Sequence, residues 1–177
     1  MSGLLFLTQD DFFNATDANN AYVMAHQIPG VSLILFYSTQ CTHCKTLIPI
    51  FKKLPGSVAG CQFGMVNIST NKNCIRMSRD TISPITYVPY IILYLDGKPL
   101  MRYSGPYQHP PIRKFVVDVT DKLHVKHEFI RSNKNSGGGV VANVGKPVDK
   151  IPAYTIGHPL WGDKVCYLEM DEAYVKK

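Results

Sequence analysis

No apolar run in this 177-residue chain approaches the roughly 18–20 residues that a bilayer-spanning helix needs, so no membrane span is expected. The N-terminus MSGLLFLTQDDFF offers only Leu4 to Leu7 as an apolar patch, with no basic residue before it and acids soon after. That is not the pattern of a secretory signal, and a cytoplasmic, reducing setting is expected. Asn14-Ala15-Thr16 and Asn67-Ile68-Ser69 are then inert as glycosylation sequons. Cysteine is scarce. The five, at 41, 44, 61, 74 and 166, are too few and too irregular for a secreted disulfide scaffold, and their odd number leaves at least one unpaired. Acidic residues are missing between Ala18 and Arg79, a stretch that holds Lys45, Lys52, Lys53, Lys72, Arg76 and Arg79. Such a locally positive field favours thiolate over thiol and draws acidic partners, although a merely solvated basic face has the same composition. The basic residues are not interleaved with an aromatic platform, which argues against a nucleic-acid partner.

What is present suits one α/β domain with chain left over. At 45% hydrophobic and 18% charged, the sequence can bury the core of a domain of about 100–150 residues. Leu4–Leu7 reads as a strand. Thr8 with Asp11 three residues on resembles a helix cap, and a helix is expected to run from there towards His26. VSLILFY (31–37) is a continuous apolar run rich in β formers, as in a strand buried on both faces. The residues after it, CTHCKTLIPIFKKL, carry apolar side chains at helical spacing from near Cys41, with Pro49 as a kink. CQFGMVNIS (61–69) reads as a strand and NKNCIRMSRD (71–80) as a short helix. YIILYL and LMRYSG around Asp96-Gly97-Lys98 read as a hairpin. Pro110-Pro111 before IRKFVVDVTDKL suits a helix with proline in its first turn. The expected order is βαβαβα followed by ββα.

Beyond about His127 the periodicity fades. The boundary is set at a domain of residues 1–127 and an extension of residues 128–177, glycine- and proline-rich, with three glycines at 137–139. That extension nevertheless holds the single tryptophan, Trp161, with Tyr154, Ile156, Leu160, Tyr167 and Tyr174. So many large apolar groups mark a docking arm, for the domain itself or for a larger assembly, rather than a solvating tail.

The chemistry centres on residues 37–51, YSTQCTHCKTLIPIF. Two cysteines three positions apart can be a redox couple, half of a metal site or a retired site on a binding module. Neither a second CxxC nor an HxxxH accompanies them, so neither a metal nor a cofactor is expected. Cys61 and Cys74 sit among apolar neighbours as small buried hydrophobes.

CxxC followed by Lys45 and Pro49, the strand MVNIS, Val88-Pro89 at a strand start, the Asp96-Gly97 hairpin and Gly105 together resemble the thioredoxin family over about residues 3–125. The resemblance implies a thioredoxin fold, a central mixed sheet flanked by helices, here with an extended C-terminal arm. It also implies a thiol–disulfide oxidoreductase acting on a client protein's thiol or disulfide. Cys41 would attack from a helix N-terminus, where the macrodipole favours its thiolate by about 0.3–1 kcal/mol. Cys44 would then resolve the mixed disulfide. Pro89 is implied to be cis, exposing the Val88 backbone for strand-like pairing with the client. The dipeptide Thr42-His43 tunes the couple. His43 resembles the histidine of protein disulfide isomerases, which stabilises the thiolate and makes the couple more oxidising.

Three positions depart from the family pattern. Leu35 stands where a buried acid is usual, Met65 where a lysine often accompanies it, and Gln40 where a tryptophan precedes the first cysteine. Losing acid and lysine together strands no charge in the core, but it deprives Cys44 of its general base. A second reading therefore stands beside the enzyme: a thioredoxin-fold adaptor docking through its arm, with little turnover. A solitary domain of this kind with an appended arm is also similar to thioredoxin-like proteins of large nucleocytoplasmic DNA viruses. That similarity implies association with a virus particle. Whether Cys166 reaches Cys41 is left open by the sequence.

Overall fold

The computed structural model describes residues 3–133, 153–154 and 166–167. Along the chain, β1 (Leu4–Leu7) leads through a one-turn 3-10 helix (Gln9–Asp11) into β2 (Phe12–Thr16), β3 (Tyr22–His26) and β4 (Val31–Tyr37). Then come α1 (Thr42–Phe51), β5 (Cys61–Asn67), α2 (Lys72–Ser78), β6 (Tyr87–Val88), β7 (Tyr90–Leu95) and β8 (Lys98–Tyr103). The long helix α3 (His109–Asn133) follows, and β9 (Ala153–Tyr154) and β10 (Cys166–Tyr167) belong to the arm. α3 opens with Pro110 and Pro111 in its first turn and runs past position 127, the sequence-based limit of the domain.

Strand β4 is the centre of the molecule because its residues can be buried on both sides. It pairs in parallel with β5 and antiparallel with β7, and the sheet runs β1-β5-β4-β7-β8-β9. Alternation along β4 divides the core. Val31, Leu33 and Leu35 pack with Leu47 and Phe51 of α1 and with Ile112, Phe115 and Val116 of α3. Ile34 and Phe36 pack on the other side with Cys74 and Ile75 of α2 and with Phe12 and Met24. Leu35 and Met65 are register partners across β4 and β5, both buried, so the positions of the family's acid and lysine form one apolar pair.

The helix expected from Thr8 towards His26 is not there. Asp11 does cap the turn, its carboxylate accepting from the Thr8 backbone N–H at 2.7 Å, but the helix ends after Gln9–Asp11. Phe12–Thr16 and Tyr22–His26 instead form an antiparallel hairpin of their own. Its tip is made by Asp17, whose Oδ1 accepts from the N–H groups of Asn19 (2.8 Å) and Ala21 (2.9 Å), and by Asn20 at φ 60°. Asx-turn chemistry of this kind offers the backbone an alternative to helix, and asparagine tolerates the left-handed region.

The hairpin is clamped to the sheet by the β7–β8 turn. Asp96 and Gly97 both have positive φ (48° and 77°), and His26 donates its backbone N–H to the Gly97 carbonyl at 3.0 Å. A Cβ at Gly97 would collide with the His26 carbonyl oxygen. Gly97→Ala is therefore expected to lose about 2–4 kcal/mol, combining left-handed strain with a backbone clash. Gly56→Ala, at φ 83° but with nothing within 4 Å, isolates the strain alone and should lose only about 1–2 kcal/mol. Urea denaturation of the two variants reads the difference. Equal losses would mean that the turn yields without disturbing His26.

Candidate functional site

The chain leaves the C-terminal end of β4 and turns through Ser38 before α1. The Cys41 N–H donates to the Ser38 carbonyl at 3.3 Å, and Cys41 becomes the N-cap of α1, its own carbonyl accepting from Lys45 N–H at 3.1 Å. No acid occupies the first turn of α1, so no side chain of that turn opposes the positive end of the helix dipole beside Cys41. Thr42 is exposed and His43 half-buried in that turn, and Lys45 is exposed just beyond.

Cys44 lies one turn inward and is fully buried. Burial pushes its thiol up to about 11, only partly opposed by the Ser38 N–H, which points to its Sγ at 3.5 Å. Ser38 is itself fixed by a 2.8 Å hydrogen bond between its hydroxyl and that of Ser69. Cys61 and Cys74 are also buried, their thiols pushed up to about 12 by desolvation, and serve the core as the sequence suggested.

Across from Cys41, the Val88–Pro89 peptide bond is cis. Val88 is buried, and its carbonyl oxygen lies 3.6 Å from Cys41 Sγ. The Pro89 carbonyl accepts from the Tyr107 hydroxyl at 3.5 Å, and burial raises the Tyr107 phenol well above the ordinary tyrosine range. Tyr87 stacks edge-on against Tyr90, ring centroids 5.0 Å apart. The structure thus gathers Cys41, Cys44, Val88 and Pro89 into one locus, with Thr42 and His43 at its rim.

The sequence did not single out Ser38 or Tyr107. Nothing local marks either, because each acts through a backbone group brought near by the fold.

Cys166 supplies what the sequence left open. It is joined to Cys41 by a disulfide, Cα atoms 6.0 Å apart, and Cys44 is a free thiol. Cys166 also stands opposite Val88, and Tyr167 opposite Tyr87, in an antiparallel ladder between β10 and β6. The arm touches the domain a second time where β9 pairs in parallel with β8, Ala153 opposite Arg102 and Tyr154 opposite Tyr103. Gly137–Gly139, Ile156, Leu160, Trp161 and Tyr174, on which the expectation of a docking arm also rested, lie outside the described residues.

Fold and site together define a thioredoxin-fold protein, with thiol–disulfide oxidoreductase chemistry as the function at the level of the family. The thioredoxin family profile matches residues 12–118, and the chain belongs to that family. It is 35% identical over 181 residues to uncharacterized protein 196R of Invertebrate iridescent virus 6, a match covering 98% of this chain and 95% of that one. It is 29% identical over 175 residues to uncharacterized protein 020R of Invertebrate iridescent virus 3, covering 97% and 96%. It is also 28% identical over 115 residues to protein disulfide isomerase-like 2-3 of Oryza sativa subsp. japonica, covering 62% of this chain and 25% of that protein. The viral matches take in the arm as well as the domain. No described helix is long and apolar enough to cross a membrane.

Proposed function

We propose that this chain is a thiol–disulfide oxidoreductase that exchanges disulfides with a client protein through a mixed disulfide on Cys41. The observation that carries this reading is the position of Cys41 itself. It caps α1, where its thiolate is favoured, and its sulfur meets the Val88 carbonyl beside a cis proline. The free thiol of Cys44 sits one helical turn behind, as a resolving group. In this reading a client thiolate or disulfide exchanges with Cys41 Sγ, and Cys44 then displaces the client and closes a Cys41–Cys44 bridge. Thr42 and His43 tune the couple, and the Val88 backbone with Pro89 receives the client segment. Residues 1–127, with the remainder of α3 to Asn133, form the redox domain, and the rest of 128–177 the docking arm. The relatives from two invertebrate iridescent viruses support a viral setting, and in this reading the chain works in infected cytoplasm and associates with the virus particle.

A specific observation also favours the adaptor reading. Cys44 is deeply buried, and Leu35 stands at the position where the family pattern has its acid, so turnover is slow unless a client is held for a long time. An adaptor with a capped cysteine has the same appearance.

Glutathione titration of a Cys166→Ser chain separates the two. A reversible Cys41–Cys44 couple is expected well above the thioredoxin value of about −270 mV. Discrete client adducts are expected when Cys44→Ser is introduced as a trap. Absence of any couple, with a Cys41 thiol inert at neutral pH, would leave only the adaptor.

A further inference from the structure

Two separate observations fall on the same pair of arm residues. One is covalent: Cys166 is bonded to Cys41. The other is a backbone register: Cys166 stands opposite Val88 and Tyr167 opposite Tyr87. β6 is two residues long, and β10 is its partner in a sheet separate from the main one. Such a strand adds nothing to the central sheet. The edge that β10 covers is a template for an extended peptide, the mode of recognition in which main-chain hydrogen bonds supply affinity and side chains supply selectivity.

We propose that the segment around Cys166 is a tethered client: it fills the place that a client's cysteine-bearing segment takes, joined to Cys41 as an intramolecular mixed disulfide. This rests on the reading of Cys41 as the exchanging thiol. It also names the client class. The partner is a protein that presents a cysteine in an extended segment running antiparallel to β6. That cysteine comes into register with Val88, and the next residue comes into register with Tyr87, whose ring lies edge-on to Tyr90.

The bonded state has a defined exit that needs no outside reagent. The Cys44 thiol loses its proton to solvent and attacks Cys41 Sγ. The Cys41–Cys166 bond breaks as the Cys41–Cys44 bond forms, and Cys166 leaves as a thiolate that takes up a proton. One disulfide and one thiol are present before and after, so no electrons enter or leave. The arm therefore decides whether the oxidising equivalent is stored against Cys166 or displayed as a Cys41–Cys44 bridge with the client strand's place vacant. A client of the same strand character competes with the arm for β6.

The test uses the full chain. Non-reducing peptide mapping after rapid acid quench should recover residue 41 linked to residue 166, with Cys44 alkylated once denatured. A Cys166→Ser chain, reduced, is then mixed with a synthetic peptide of residues 161–172 carrying its cysteine as a thionitrobenzoate disulfide. A second copy is N-methylated at the backbone nitrogens of residues 166 and 167, and glutathione–thionitrobenzoate serves as a strand-free substrate. The unmodified peptide should react at least about tenfold faster than either control, because only it can complete the ladder. If all three react alike and the 41–166 link is absent, the tethered-client proposal fails while Cys41 remains an exchanging thiol. If none of the three reacts, the oxidoreductase reading itself falls.

Discussion

Loaded with thionitrobenzoate on Cys41, a Cys166→Ser chain should release the dye about tenfold faster for each pH unit from 7 to 10, about a thousandfold in all. The reason is the state of Cys44. Its thiol is pushed up to about 11 by burial, so the attacking thiolate is a minute fraction at neutral pH and grows with hydroxide until that value. The Ser38 N–H opposes this only weakly, through a 3.5 Å contact to sulfur. Leu35 and Met65 hold the register positions where an acid and a lysine could have relayed the proton, and neither side chain accepts one. A high-pKa thiolate is the better nucleophile once formed, which raises the whole curve but leaves its slope. The same chain with Cys44→Ser should show no pH-dependent release beyond hydrolysis. A profile that levels off near pH 8 would mean that Cys44 titrates as an ordinary cysteine.

Acidification from pH 6.5 to 4 should remove about 3 kcal/mol of folding stability through one buried residue, His26. Burial holds its imidazole down to about 4, with the nearby Asp11 charge pulling weakly the other way. Geometry explains the cost of protonation. Nδ1 accepts the Ile28 N–H at 3.1 Å, which leaves the proton on Nε2 facing the Ser32 hydroxyl at 3.3 Å. A second proton would have to go on Nδ1, against a backbone donor. The native state therefore stays neutral down to about pH 4, while the unfolded chain takes up the proton below 6.5. The unfolded state holds more protons in that window, so stability is fully present above it and is lost as the pH falls through it. Urea midpoints of the wild type and His26→Gln, compared across the window, should differ in slope whatever their absolute values. Parallel curves would show that His26 is charged in the fold or reaches solvent before unfolding.

His26 also shows where reading from sequence ran out. A buried histidine at the end of β3, held under the β7–β8 turn, depends on a hairpin that the pattern from Thr8 to His26 did not reveal. Phe12 and Phe13 after a capping residue look like a helix start, and the cap is indeed formed. What decides for strand is the docking of Phe12 and Met24 onto Ile34 and Phe36, contacts with residues far along the chain. Propensity over so short a stretch is easily overridden by such packing.

The sequence by itself determined the elements whose reasons are local. The apolar run of Val31–Tyr37 could only be a strand covered on both faces. Asp96-Gly97 supplied the backbone freedom of a tight hairpin, and Pro110-Pro111 pre-set the first turn of α3. The spacing of Cys41 and Cys44 at the start of α1 was likewise visible, because helix periodicity begins there. Only the tertiary structure decided how reactive each thiol is and what meets it. Burial of Cys44, the approach of Val88 and Tyr107, and the bond from Cys41 to a cysteine 125 residues away are properties of surfaces brought together by folding. No local pattern encodes them, since desolvation and pairing depend on what lies across the gap rather than on what lies next in the chain.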